Sequence, residues 1–231
     1  MASPSVESLT ETAFSSSTTS HNVNMPASVT AGWLLLMGFG FSTDETITTP
    51  TGWSIVAAKV TNTATQIVYG KVADGTEGGT TVDVVTATNR GAAAQVYAIS
   101  GWGGTLADDV NEGTGATGSS STPDPPSVSW TWGALDELII AFAHATATST
   151  FSAAPTNYTN LETTQANTAG SANWMASARR ALTATASPEN PDTFTLSGSE
   201  LWVANTIAIK PSIPRSLAVF SRPLRIWNAR R

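Results

Sequence analysis

The sequence predicts an all-β protein, an antiparallel two-sheet sandwich of jelly-roll-like type built from two weakly similar halves. Three observations carry that expectation. Hydrophobic residues make up 41% of the 231 and charged residues only 12%, whereas solvated helix surfaces carry many Lys and Glu. Thr is abundant, and its branched Cβ suits a pleated surface. Two short apolar runs, Trp33–Phe41 and Leu138–Ala143, are bounded by polar and turn residues. Gly38 and Gly40 argue against a helix in the first, since a helix-interior glycine costs about 1 kcal/mol relative to alanine. Such runs fit strands covered on both faces. Finally, residues recur at a constant offset of 105. Leu34 matches Ile139, Pro50 matches Pro155, Trp53 matches Tyr158 and Tyr69 matches Trp174. The segment Ala92–Ile99 matches Trp202–Ile209 at an offset near 110. Repetition at a fixed spacing marks an internal duplication.

Taken in order, residues up to His21 are rich in Ser and Thr and read as one or two edge strands. Pro26 opens a turn that ends at Gly32, and the central strand Trp33–Phe41 follows. Pro50-Thr51-Gly52-Trp53 places Pro and Gly at natural turn positions. Ser54–Val60 is the next strand, then Gln66–Val72, which alternates in period two. Ala73–Gly79 turns the chain back. Val82–Thr86 alternates as a strand, Asn89-Arg90-Gly91 reads as a turn, and Ala92–Ser100 as a further strand.

From Gly101 to Pro126, Gly, Ser, Thr, Asp and Pro dominate, and the stretch reads as a connection between halves. Ser171–Ala184 could pass for a helix on propensity, but its match to Gln66–Val72 makes it a strand. The expected division is therefore a first half 1–100, a connection 101–126, a second half 127–210 and a C-terminal arm 211–231. A central strand buried on both faces needs a second sheet on top, so both halves should share one core.

Composition also bounds the chemistry. The absence of cysteine removes disulfides, thiolate metal sites and a cysteine nucleophile. Met1–Glu7 has no basic start and no apolar core of a standard signal peptide. No stretch approaches the roughly 18 apolar residues of a membrane span. Net charge is −6 and pI about 4.8, which argues against nucleic acid as a partner. The charge is unevenly placed. Arg215, Arg222, Arg225, Arg230 and Arg231 all follow Pro211, and no acid does. The body keeps six basic residues against all 17 acids, a balance of −11.

Four segments together resemble β-sandwich modules common in tailed-phage genomes and in some secreted bacterial proteins, a group whose members look like virion structural proteins. They are Pro26-Ala27-Ser28-Val29-Thr30-Ala31-Gly32, Pro50-Thr51-Gly52-Trp53, Tyr69-Gly70-Lys71-Val72-Ala73-Asp74-Gly75, and Ala92–Gly101. The likeness covers roughly residues 21–102 directly, and the second half through the duplication. It departs at Trp33, where the pattern has Asp. What the resemblance implies is a structural protein of a capsid or tail surface, of decoration or fibre type. Its partners would be other virion proteins, in a homo-oligomer or bound to a particle, with no enzymatic activity.

Candidate chemistry is thin, and no catalytic residue, cofactor or metal is expected. His21 and His144 are the only histidines. Neither has the Gly-x-Ser-x-Gly nearby that would suggest a hydrolytic triad. Asp136 with Glu137, or Glu189 with Asp192, could supply the facing carboxylates of a glycosidase, but they sit in expected turns. Asp108, Asp109, Asn111 and Glu112 offer oxygen to Ca²⁺ without the spacing of an EF-hand.

Among eight tryptophans, Trp53, Trp174 and Trp202 fall at repeated positions and read as core. Trp102, Trp130 and Trp132 flank the connection and are the expected exposed set, able to stack on sugars. That set supports the alternative reading, a carbohydrate-binding adhesion module. The arm mixes its arginines with Leu217, Val219, Phe220, Leu224, Ile226 and Trp227, more large apolar groups than a solubilising tail carries. Its expected docking residues are Arg215, Phe220, Arg222, Arg225, Trp227, Arg230 and Arg231.

Overall fold

A computed structural model describes residues 3–45, 47–61, 63–146, 149–168 and 171–213. The first half forms one antiparallel sheet. Its strands are β1 (Ser5–Asn24), β2 (Leu34–Ser42), β3 (Ile47–Thr48), β4 (Ser54–Val60), β5 (Ala64–Val72) and β6 (Thr81–Ser100). Their order is β1-β6-β2-β5-β4, with β3 on β6. One helical turn, α1 (Leu106–Asp109), leads to the second half.

That half contributes β7 (Val110–Glu112), β8 (Ala116–Ser120), β9 (Leu138–Ala145), β10 (Phe151–Ala153), β11 (Thr159–Thr168), β12 (Ser171–Ala181), β13 (Thr195–Leu196) and β14 (Glu200–Ile209). The second large sheet runs β11-β12-β9-β14-β7, with β8 also on β14, while β10 and β13 form a separate ribbon. Read from the opposite end, its order repeats that of the first sheet. β9 stands for β2, β12 for β5, β11 for β4, β14 for β6, and β7 with β8 for β1. The chain passes between the large sheets once, after β6.

The pairing fixes the equivalences residue by residue. Leu34 lies between Val72 and Ile99, and Leu138 between Ala181 and Ile209. Leu34 therefore corresponds to Leu138, one position from the expected Ile139. Ile139 belongs to the opposite face of its strand, and a one-residue slip exchanges faces. Tyr69 and Trp174 do lie in equivalent strands, but not at equivalent places. Tyr69 sits opposite Met37 and Trp174 opposite Ala145, four residues apart along the strand and on the same face.

The turns ahead of β4 and β11 do coincide. The Trp53 amide donates to the Pro50 carbonyl at 3.1 Å and the Tyr158 amide to the Pro155 carbonyl at 3.0 Å. The third residue of each turn has positive φ, 81° at Gly52 and 67° at Asn157, as a type II turn requires.

Three apolar layers hold the sandwich. Between the sheets lie Leu34, Leu36, Tyr97 and Ile99 against Leu138, Ile140, Phe142 and Ile207, all but fully buried. Each such side chain contributes about 1.5–3 kcal/mol by leaving water. The outer face of the first sheet carries Leu35, Met37, Phe39 and Phe41 and is covered by Val23, Met25 and Val84. The outer face of the second carries Ile139, Trp174 and Trp202, covered by Val128, Trp130, Phe151 and Phe194. The shared core is thus flanked by one core private to each half.

The glycines of β2 owe their identity to the opposite sheet. A Cβ on Gly38 would strike the Met175 methyl and the Phe142 ring, and one on Gly40 would lie 2.6 Å from the His144 ring. Phe142 and His144 are the repeat equivalents of Gly38 and Gly40. Equivalent positions that face each other near a pseudo-two-fold axis cannot both be large, and here one copy went small while the other went large.

Two further expectations need correction. Asn89-Arg90-Gly91 is not a turn. β6 runs through it, paired with β1 at Thr18–Arg90, with register shifts on either side. Such bulges bend a strand, and Glu45 holds the bend, its carboxylate 3.6 Å from the Arg90 guanidinium and bonded to Thr88. The stretch 101–126 is more than a connection, because α1, β7 and β8 lie in it. β8 reads Ala-Thr-Gly-Ser-Ser because the Trp202 indole occupies the space a Cβ of Gly118 would need, and the indole nitrogen donates to Ser120 Oγ at 3.0 Å.

Candidate functional site

Of the three tryptophans expected to be exposed, Trp102 and Trp130 are buried and Trp132 is half-buried. Trp102 is 4% exposed and Trp130 5%. Trp102 donates its indole N–H to the Gly32 carbonyl at 2.9 Å and Trp130 to the Gly133 carbonyl at 3.0 Å. Trp132 is half-buried, stacked on Trp130 with ring centroids 5.9 Å apart, and donates to Glu137 Oε1 at 3.0 Å. An indole satisfied at its nitrogen and packed on its face closes a structure, so these residues seal the loop that follows β6 and the loop between β8 and β9. Trp102 and Trp130 flank a Gly/Pro-rich stretch whose composition suggests surface, yet both are buried.

The four carboxylates of the two candidate pairs each have local work. Asp136 accepts from the Ala184 amide at 2.9 Å. The fully buried Glu137 carboxylate accepts from the Leu135 amide and the Trp132 indole, both at 3.0 Å. Glu189 Oε1 lies 2.7 Å from Arg180 Nη1 and accepts from the Tyr158 hydroxyl at 3.3 Å. Asp192 accepts from Thr156 Oγ1 and the Thr193 amide, both at 2.8 Å, and these bonds hold its carboxyl below the usual range.

In the oxygen-rich cluster, Asp109 joins the Lys210 ammonium at 2.8 Å and the Thr105 amide at 2.9 Å. Asn111 donates to the Ser129 carbonyl at 3.2 Å. Among the described residues no group of three or more His, Asp or Glu could hold a metal ion.

Both histidines are fully buried. His21 stands in the bend of β1 and β6, its ring nitrogens 3.1 Å from the Val84 carbonyl oxygen and 3.0 Å from that of Arg90. Phe14 and Phe39 meet its ring edge-on. His144 lies between the sheets. The Asn173 amide nitrogen donates to the Gly91 carbonyl at 3.0 Å, which orients its oxygen to accept from His144 Nε2 at 3.2 Å. The proton therefore sits on Nε2. Burial pulls the imidazole pKa down to about 4, partly opposed by the bond to Asn173. His144 is a neutral core residue that joins the sheets.

A polar chain crosses the interface beside it. The Tyr97 hydroxyl donates to Ser177 Oγ at 2.6 Å, and Ser177 to Gln95 Oε1 at 2.6 Å. Gln95 Nε2 donates to Glu11 Oε1 at 3.2 Å, and Thr164 Oγ1 reaches the same oxygen at 2.8 Å. Burial pushes the Tyr97 hydroxyl pKa up. The chain ends by tying β1 to β11, closing one edge of the sandwich.

The pseudo-equivalent edge, between β4 and β7–β8, is open. Gly115 takes the place of Glu11, beside Asn205, the counterpart of Gln95. Lys59 takes the place of Thr164, and its aliphatic stem lies over Gly115. At one end of this edge a groove of about 540 Å³ runs between Ser54–Val56 and Val110–Glu112, floored by Leu106 and Ala107. At the other end a second hollow of about 400 Å³ is lined by Val60, Thr117 and Leu201. The matching place on the closed edge, around Val6 and Thr159, holds about 250 Å³. Ile55, Val60 and Leu201 are among the few large apolar side chains exposed in the described structure. Glu112 stands on the groove wall. Its side chain keeps solvent contact, yet the wall desolvates the carboxyl enough to raise its pKa.

The arm residues Arg215, Phe220, Arg222, Arg225, Trp227, Arg230 and Arg231 lie outside the described residues. Compared with known proteins, the chain matches no family model, no curated protein and no solved structure at a significant level.

Proposed function

We propose that the protein is a non-enzymatic structural component of a phage particle, a β-sandwich on a capsid or tail surface whose C-terminal arm docks on a neighbouring subunit. The observation that carries this reading is how the motif segments behind the resemblance are used. They lock onto one another at one end of the first sheet. The Gly32 amide donates to the Ala73 carbonyl at 2.8 Å, the Ala73 amide to the Trp33 carbonyl at 2.8 Å, and the Gly79 amide to the Pro26 carbonyl at 2.9 Å. Lys71 Nζ lies 2.8 Å from Glu77 Oε1, and the Glu77 carboxylate also accepts from the Asp74 and Gly75 amides at 3.0 Å. Gly75, with φ of 93°, is packed against Ala31.

These motif residues serve the scaffold, the service expected of a module repeated in assemblies. The sugar-binding alternative is weakened, because Trp102 and Trp130 are buried and only the half-buried Trp132 of the three could still meet a sugar. Mass spectrometry of purified particles tests the proposal. Stoichiometric recovery of the protein is the expected result, and its absence from intact particles would overturn the reading. Removing residues after Ile213 should abolish particle binding while leaving the melting temperature unchanged.

A further inference from the structure

We infer that the groove between β4 and β7 is the receptor for the C-terminal arm of a second copy of this chain, so that copies join head to tail. The inference rests on the arm-docking reading above and adds the surface that receives the arm.

Four observations converge on it. The groove is lined by apolar and polar residues in similar measure, Val56, Leu106 and Val110 beside Ser54, Asn111 and Ser129, with Ile55 51% exposed on the edge strand. It carries Glu112, whose carboxylate takes part in no hydrogen bond or ion pair among the described residues. The 18 residues after Ile213 hold five arginines, no acid, and the apolar groups Leu217, Val219, Phe220, Leu224, Ile226 and Trp227. The balance of −11 on the rest of the chain complements them. An aromatic side chain fits in about 540 Å³, and an arginine fork suits a carboxylate on the rim.

The way the chain leaves the body selects a second copy over the same one. Residues 210–212 run antiparallel to 101–103. The Gly103 amide donates to the Lys210 carbonyl at 3.0 Å and the Ser212 amide to the Gly101 carbonyl at 2.7 Å. Gly101 lies against Ser3 and Pro4, at the start of β1. The segment thus heads toward the closed edge, away from α1 and β7. Ile213, 53% exposed, is its last described residue. Eighteen further residues span up to about 60 Å, enough to reach a neighbour without reversing. Joining a groove on one face to an arm leaving toward another is a heterologous contact, which closes into a ring or continues as a filament.

The test uses the full chain and two variants, each lacking one side of the contact. The first ends at Ile213. The second carries Ile55→Lys and Glu112→Lys, both at exposed positions on edge strands that tolerate lysine. Sedimentation is measured for each alone and for the equimolar mixture, with melting curves to confirm folding. The full chain should self-associate beyond a dimer. Each variant alone should associate at least about tenfold more weakly, and the mixture should form a 1:1 pair that dissociates as salt rises.

If the lysine variant associates like the full chain while the truncated one does not, the groove is overturned and arm docking stands. A truncated chain that associates like the full one overturns both. A full chain that stays monomeric at all concentrations overturns docking between copies.

Discussion

The two edges of the sandwich are related by the duplication, yet one is sealed and the other is not. On the closed edge, β1 is a single strand of 20 residues, and Glu11 binds Gln95 of its own sheet and Thr164 of the other. On the open edge the same strand is broken into β7 and β8, Gly115 replaces Glu11, and Lys59 replaces Thr164. A repeated fold supplies two copies of every surface, and selection on one need not touch the other. The lesson recurs along the axis, where Gly38 and Gly40 face the larger Phe142 and His144. Divergence between the copies created complementarity inside and asymmetry outside.

The harshest break of the comparison is in the shared core. Leu36→Asp buries an unpaired charge between the sheets, which costs several kcal/mol against a total stability of about 5–15 kcal/mol. The variant should fail to give a cooperative unfolding transition, followed by circular dichroism. A soluble protein with a sharp melt would show that the inter-sheet core does not carry the fold.

The next effect is acid sensitivity. His144 is neutral in the fold, with its pKa lowered from 6.5 to about 4. Between those values the unfolded chain takes up a proton that the folded chain refuses. Stability is therefore intact above pH 6.5, falls as pH drops toward 4, and loses about 3 kcal/mol over that window from this group. Below pH 4 the folded form is protonated as well and this contribution levels off. Urea midpoints measured against pH should show the decline in the parent and a much flatter course in His144→Leu. An equal slope in both would assign the decline to other groups.

The edges themselves predict smaller differences. Glu11→Ala removes the acceptor shared by Gln95 and Thr164 and should cost about 1–3 kcal/mol. Glu112→Ala, on the open edge, should change stability by no more than about 0.5 kcal/mol. Amide exchange should follow the same order, with the part of β1 paired to Val96–Ile99 better protected than β7. Equal protection at both edges would remove the distinction.

Much of this was legible in the sequence, and the failures have physical causes. The Pro50 and Pro155 turns could be read because a type II turn leaves a mark at fixed positions. The duplication could be read from spacing, but its register slipped by one at Leu34. In a run apolar on both sides, such as Leu34–Met37, nothing in the sequence says which face looks inward. β8 escaped notice because Trp202, far along the chain, fills the volume that strand side chains usually claim. The burial of Trp102 and Trp130 is not legible in the sequence, because local composition describes a loop but not what the loop covers. The open edge left no sequence signal beyond Gly115, since a groove is made by what two distant strands fail to fill.

The claim that the halves face each other as complementary copies is tested most directly by a double-mutant cycle across the axis. Gly38→Ala should destabilise the parent by about 1–3 kcal/mol, because its methyl meets Met175 and Phe142. Met175→Ala should cost about 2–5 kcal/mol through the cavity it leaves. With Met175 already shortened, the added methyl enters that cavity, so the penalty of Gly38→Ala should shrink by at least about 1 kcal/mol in denaturant titrations. Penalties that simply add, within about 0.5 kcal/mol, would contradict the facing of Gly38 and Met175 across the two sheets.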